Sequence, residues 1–277
     1  MAVSITLHNG DCLQVMKVIP DASVDLIICD LPYGCLEPNR KSKTTDDEVK
    51  EYGKGRIETN RGGCSWDIKI NLEEFWKEIK RIRKSEHSPT IHFCTTKFGY
   101  ELIQSNPQEF RYDLVWDKQR GVSFLSANKM PMRSHEMIYV FSKAGAFYNR
   151  VDISGNFKEH KQYGKAKSDS TYGVVNRKTP VIRPVGTITS TADKRCVLSV
   201  IQNETSAKKC GHPTEKPPEL YKFLIERYCP LDGTVLDPTF GSGNSVFTAY
   251  ELNRNAIGIE KDKVFFDKAV KRLEALE

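Results

Sequence analysis

The amino-acid sequence predicts an α/β fold: a mostly parallel sheet with helices on both faces. Three observations predict it. Short apolar runs rich in Val and Ile recur along the chain, amphipathic helical periods fall between them, and a glycine turn follows one of the runs close to the C-terminal end. A length of 277 residues suits one such domain carrying an insertion.

The runs, in order, are "VDLIIC" (24 to 29), "PTIHFC" (89 to 94), "DLVW" (113 to 116), "MIYVFS" (137 to 142), "TVLD" (234 to 237) and "AIGIE" (256 to 260). Each is short, bounded by turn residues and largely continuous, as in strands buried on both faces. Leu72, Phe75, Trp76, Ile79 and Ile82 repeat at helical spacing and place one apolar stripe on a helix. After the prolines of "PTEKPPE", Leu220, Phe223, Leu224 and Tyr228 predict a second helix, and Phe266, Val270, Leu273 and Leu276 a last one.

Two segments break the alternation. Residues 36 to 63 are polar, charged and dotted with glycine, which predicts a long mobile loop. Residues 143 to 210 are basic and polar with weak β patterning, as in "TPVIRPVGTITS", and read as an inserted module. The expected organisation is therefore one half-domain over 1–142, an insert over 143–210 and a second half-domain over 211–277.

Charge follows the same division. The net charge is +6, yet residues 143 to 217 hold fourteen Lys/Arg against six Asp/Glu, leaving 28 against 30 elsewhere. A basic module beside a near-neutral core is the pattern of polyanion binding, with a merely solvated basic surface as the alternative. No apolar run approaches the roughly 18 residues of a membrane span. The first residues also lack the basic-then-apolar pattern of a secretory leader, so the expectation is a cytoplasmic or nuclear chain with no membrane partner. Eight scattered cysteines without a C-x-x-C pair predict reduced, mostly structural thiols, and no Cys/His spacing suggests a metal.

In "TVLDPTFGSGNS" a strand ends at Asp237, the chain turns through Gly241 and Gly243, and a helix opens near Asn244. Amides at such a helix start receive an anionic group, and glycine permits close approach. A second strand ends at Glu260, about 20 residues on, where a carboxylate can accept ribose hydroxyls. A P-loop would need a lysine at the turn, and a dinucleotide fingerprint a third glycine where Val246 stands. S-adenosylmethionine, with a ribose and no phosphate, fits a strand carrying Asp237 before the turn; a purely structural tight turn is the bland alternative.

The stretch "DLIICDLPYG" delivers Asp30 at the C-terminal end of a strand, followed by Leu31, Pro32 and Tyr33. An exocyclic amine on a nucleobase is a poor nucleophile until acceptors hold its protons. Asp30 and the Leu31 carbonyl can be those acceptors. Tyr33 can stack on the base, a contact worth about 1–3 kcal/mol. An ordinary strand-ending turn would also explain the four residues taken alone.

Together, "DLPY" followed much later by "DPTFGSG" resembles the amino-methylating DNA methyltransferases of the permuted β class, in which the catalytic motif precedes the cofactor motif. The resemblance covers most of the chain outside the insert, and implies a Rossmann-like methyltransferase sheet, S-adenosylmethionine as cofactor, double-stranded DNA as partner and pairing into a homodimer. "HNGDCL" is similar to the family's early Gly-Asp element, which puts Asp11 near the cofactor's adenine. "GHPTEKP" is similar to the segment that places His212, Thr214 and Lys216 at the methionine end. By the same similarity Asp30, Asp237, Phe240, Gly241 and Gly243 border the cofactor, and Glu260 takes its ribose.

Leu31 stands where the family most often has proline, although the acceptor carbonyl is kept. An aspartate at position 30 implies adenine N6 as the target, since a serine there usually accompanies cytosine N4. Lys158, Lys161, Lys165, Lys167, Arg177, Lys178 and Arg183 are the candidates for phosphate contact within the insert. Cytosine N4 methylation, RNA methylation and a catalytically silent DNA-binding subunit are the alternatives.

Overall fold

The computed structural model describes residues 3–34, 68–122, 124–155, 160–161, 188–190, 194–203 and 214–276. The chain divides into two compact units, Met1–Asn149 with Ser199–Glu277, and Arg150–Leu198. The loop expected at 36 to 63 and much of the expected insert lie outside the described residues.

In chain order the first unit holds β1 (Ile5–Asn9), α1 (Cys12–Val15), β2 (Leu26–Cys29), α2 (Leu72–Ile82), β3 (Thr90–Cys94), α3 (Thr96–Ser105), β4 (Phe110–Val122) and β5 (Arg133–Phe141). The second unit holds β6 (Ile153–Ser154), β7 (His160–Lys161), β8 (Ile188–Ser190) and β9 (Lys194–Arg195), paired antiparallel as β6 with β9 and β7 with β8. The first unit resumes with β10 (Val200–Gln202), α4 (Pro218–Tyr228), β11 (Thr234–Asp237), α5 (Asn244–Glu251), β12 (Asn255–Glu260) and α6 (Lys263–Glu274).

Eight strands form one sheet in the order β1-β12-β11-β2-β3-β5-β4-β10. The strands from β1 to β3 are mutually parallel, and β5 runs antiparallel to both β3 and β4. The period-two alternation of side chains then sorts the core. Leu26, Ile28, Ile91, Phe93, Ile138 and Val140 point to one face and pack with Leu220, Leu224 and Phe247. Ile27, Cys29, Cys94, Tyr139 and Phe141 point to the other, against Phe75, Trp76, Ile79 and Leu102. Both faces are covered, which is why the runs are continuous rather than alternating.

The α2 stripe predicted from spacing is buried at Phe75, Trp76, Ile79 and Ile82. Asn71 caps the helix by accepting the amides of Glu73 and Glu74 at 3.0 and 3.3 Å, and acids in the first turn with bases in the last suit the helix dipole. Leu276, expected on the last apolar stripe, lies beyond the end of α6 and is 49% exposed.

Strands β1 and β10 and helix α3 have no counterpart in the predicted elements. The two strands sit at the sheet edges, where half-exposed positions dilute the apolar signal, and α3 is interrupted by Gly99. The cysteines described, Cys12, Cys29, Cys94, Cys196 and Cys229, carry free thiols. Among the described residues no helix is long and apolar enough to cross a membrane, and no group of three or more His, Cys, Asp or Glu is placed to hold a metal.

Candidate active site

Because β1, β12, β11 and β2 are parallel neighbours, their C-terminal ends align. Asn9 is in register with Glu260, and Asp237 with Gly258, while Asp30 follows directly on β2. Four strand ends thereby meet at one sheet edge, where open α/β sheets place their ligands. The glycine turn and the Asp30 segment touch directly: the Thr239 hydroxyl donates to the Asp30 carbonyl at 3.2 Å.

The turn itself needs its glycines. Gly241 has φ +54° and Gly243 φ +81°, the left-handed region that side chains disfavour. Gly243 accepts that geometry as the N-cap of α5, and its amide donates to the Phe240 carbonyl at 2.9 Å. Glu260 clamps the turn from the neighbouring strand. Its Oε2 accepts the Gly241 amide at 2.9 Å and its Oε1 the Asp262 amide at 2.7 Å. Burial raises the pKa of the Glu260 carboxyl, against the pull of these amides.

A cavity of about 510 Å³ opens at this edge. Asp11, Asp30, Leu31, Pro32, Tyr33, Thr214, Lys216, Phe240, Gly241 and Glu260 all line it. Asp237 and Gly243 do not reach the wall. Asp237 is 2% exposed and binds the Ser245 hydroxyl and the Thr239 amide, so it braces the turn from behind. His212, Lys158, Lys165, Lys167, Arg177, Lys178 and Arg183 lie outside the described residues, and Lys161 falls in β7 of the second unit.

Asp30 is held on both carboxylate oxygens. Its Oδ1 accepts the Tyr33 hydroxyl at 2.9 Å and its Oδ2 accepts Lys216 Nζ. The Tyr33 ring in turn lies 5.1 Å from that of Phe98, tilted by 33°. Sequence reasoning passed over Glu136, Glu215, Thr239 and Tyr221, all of which line the cavity. Glu136 was legible in principle. It shares strand parity with the core positions Ile138 and Val140, and an acid in register with a core face is out of place unless it serves a site. His135, its neighbour, points the other way and is exposed.

The donor set of the cavity decides what it can hold. Its wall carries the carboxylates of Asp11, Asp30, Glu136, Glu215, Glu260 and Asp262, whereas Lys69, Lys216 and Lys261 are each already paired with an acid. Such a wall repels phosphate. It suits hydroxyls and cationic groups, and both Glu215 oxygens are buried without a hydrogen-bond partner. S-adenosylmethionine, a nucleoside with a sulfonium and an ammonium and no phosphate, fits that chemistry.

A profile of the DNA methylase family matches residues 24–271. The type II methyltransferase M.HindIII of Haemophilus influenzae is 44% identical over 306 aligned positions, covering 96% of this chain and 94% of its own. M.HinfI, from the same species, is 28% identical over 98% of this chain and 69% of its own. Among solved structures, the M1.HpyAVI–SAM complex aligns with a TM-score of 0.56 at 18% identity over 97% and 98% of the two chains. The PvuII DNA methyltransferase (cytosine-N4-specific) aligns with a TM-score of 0.61 at 14% identity over 98% and 87%. With the Asp30 segment and the glycine turn converging on one acidic cavity, the chain belongs to the DNA methylase family and is a DNA methyltransferase that uses S-adenosylmethionine.

Proposed function

We propose that this methyltransferase is a permuted, β-class enzyme that modifies the N6 amino group of adenine in duplex DNA, with Asp30 as the acceptor that orients the amine. The observation that carries the reading is the position of Asp30 in the cavity wall, tied through its own carbonyl to the Thr239 hydroxyl of the glycine turn.

The adenine amine donates its lone pair into the ring, so it gains nucleophilicity only when its hydrogens are held. Asp30 and the Leu31 carbonyl accept them and bias the nitrogen towards tetrahedral geometry. Reaching the cavity requires the base to leave the duplex, at a cost of a few kcal/mol. Tyr33 and Pro32 form the apolar wall that offsets part of that cost. S-adenosylmethionine, when bound, supplies an electrophilic methyl group.

Glu260 would accept its ribose hydroxyls, Asp11 would hold its adenine end, Phe240 and the Gly241 turn would border it, and Thr214 with His212 would hold its methionine end. As the N–C bond forms the carbon–sulfur bond breaks, the neutral thioether S-adenosylhomocysteine leaves, and the amine sheds its extra proton, for which Asp30 would be the acceptor. Positioning supplies much of the rate. The basic residues of the insert supply the phosphate contacts, and the family resemblance implies a second copy as a further partner, which sedimentation velocity reads.

The test is product analysis. Whole-genome-amplified DNA, which carries no methylated base, is incubated with the enzyme and labelled cofactor as duplex and as single strands, then digested to nucleosides. N6-methyldeoxyadenosine from the duplex is the expected product. N4-methyldeoxycytidine would overturn the adenine assignment.

A further inference from the structure

Lys216 is an unusual lysine. Its side chain is 4% exposed, and its ammonium lies 4.6 Å above the Phe93 ring, touching Asp30 on one side and standing 3.6 Å from Glu136 Oε2 on the other. A buried ammonium persists only where carboxylates compensate it. Burial opposes its charge, yet Asp30 and Glu136 outweigh that and raise its pKa.

Glu136 is bound by Lys118 through Oε1, while its Oε2 is buried and has no hydrogen-bond partner. The four charges alternate in sign along the chain Asp30, Lys216, Glu136, Lys118. Other titratable groups facing the cluster are Cys29 and Cys94 from the strand ends, Tyr33 from the turn, Glu215 beside Lys216, Tyr221 from α4, Asp237 from β11 and Arg133 from the start of β5. Arg133 donates to the Thr96 hydroxyl at 3.2 Å, and the others are acids or neutral groups. Lys216 is the cation paired directly with Asp30.

We propose that Lys216 is a positioning residue for methyl transfer, holding Asp30 fixed in orientation, with Glu136 Oε2 as the seat its ammonium takes when the target amine occupies Asp30. The proposal rests on Asp30 being the amine's acceptor. The unpartnered Glu136 oxygen next to a three-donor ammonium gives that exchange its path: Lys216 reaches it by a small side-chain movement, without leaving the buried cluster. It also separates Lys216 from the cofactor-binding role that family resemblance implies for it, because its ammonium is already committed to two carboxylates.

The experiment measures single-turnover methyl transfer to whole-genome-amplified DNA, together with equilibrium binding of S-adenosylmethionine. Lys216→Met is expected to slow transfer about 100-fold, with cofactor affinity kept within about threefold. Lys216→Arg recovers part of the rate. Glu136→Gln, which removes the charge of the seat, slows transfer about tenfold, again with cofactor affinity kept.

A slowed transfer step at kept cofactor affinity, partly rescued by arginine, is the signature, and a merely structural role would not give that split. Should Lys216→Met fail to fold, Glu136→Gln decides alone. Wild-type rates in both variants would overturn the proposal, as would a Lys216→Met enzyme that is fast at saturating cofactor but binds it poorly. Asp30→Ala run alongside keeps the two readings apart: activity there would sink Asp30 as acceptor, whatever Lys216 does.

Discussion

The Tyr33 hydroxyl donates to Asp30 Oδ1 at 2.9 Å, so the phenol that sequence suggested as a stacking platform also orients the carboxylate. The two roles separate chemically. Tyr33→Phe keeps the ring beside Phe98 and removes only the donor. A hydrogen bond to a charged group is worth roughly 1.5–3 kcal/mol, so the single-turnover rate is expected to fall about tenfold or more while cofactor affinity holds. Tyr33→Ala removes both and falls further. A Tyr33→Phe rate equal to wild type in rapid-quench measurements would leave the hydroxyl without a part in the reaction.

Most of the sheet was readable because its strands are buried on both faces: Leu26 to Cys29 and Thr90 to Cys94 are continuous apolar runs with little else they could be. The direction of β5 was not readable. Nothing in "RSHEMIYVF" says that the strand runs antiparallel to β3, and it is this reversal that brings Glu136, near the strand's start, to the edge where Asp30 sits. Asp30, Glu260 and the glycine turn stood out because each ends a strand or turns one. Lys118, Glu136 and Glu215 did not, since their importance lies in whom they face across the fold. Charge pairing among distant residues has no local pattern.

Glu260 spends both oxygens on backbone amides of the cofactor edge, Gly241 and Asp262. Its removal therefore loosens the turn as well as deleting the proposed ribose acceptor. Glu260→Gln keeps one acceptor oxygen and should weaken S-adenosylmethionine binding about tenfold, which is about 1.4 kcal/mol, and Glu260→Ala more. Isothermal titration calorimetry reads both. The transfer rate at saturating cofactor should change much less, because Asp30 and its partners are untouched; a large loss of saturated rate with unchanged affinity would reverse the assignment.

Charge reversal at Lys161, Lys165 and Lys167 tests the insert as the DNA face. Each lost phosphate contact lowers the slope of log affinity against log salt by about 0.9, so three contacts would flatten it by roughly 3. Fluorescence anisotropy on a duplex across a salt series gives the slope, and unchanged cofactor binding serves as the control for folding. Equal slopes for the variant and the wild type would move the DNA face elsewhere.

Asp237 offers a pH test of the cofactor edge that needs no substrate. Burial pushes its carboxyl from the ordinary 3.8 up to about 7, despite the Ser245 hydroxyl and the Thr239 amide that favour the charged form. Between those values the folded protein holds a proton that the unfolded chain has released. Stability contributed by this group is thus full below about pH 4, declines as pH rises towards 7, and is flat above, with a steepest slope of roughly 1.4 kcal/mol per pH unit.

Asp237→Asn abolishes the titration while keeping an acceptor for Thr239 and a donor for the Ser245 oxygen. Calorimetric melting at fixed ionic strength from pH 5 to 8 should show the wild type losing stability relative to the variant as pH rises. Other carboxyls titrate in both proteins and cancel in the difference. Parallel curves would mean that Asp237 keeps its charge in the fold, and that the turn is braced by a buried carboxylate rather than by a carboxylic acid.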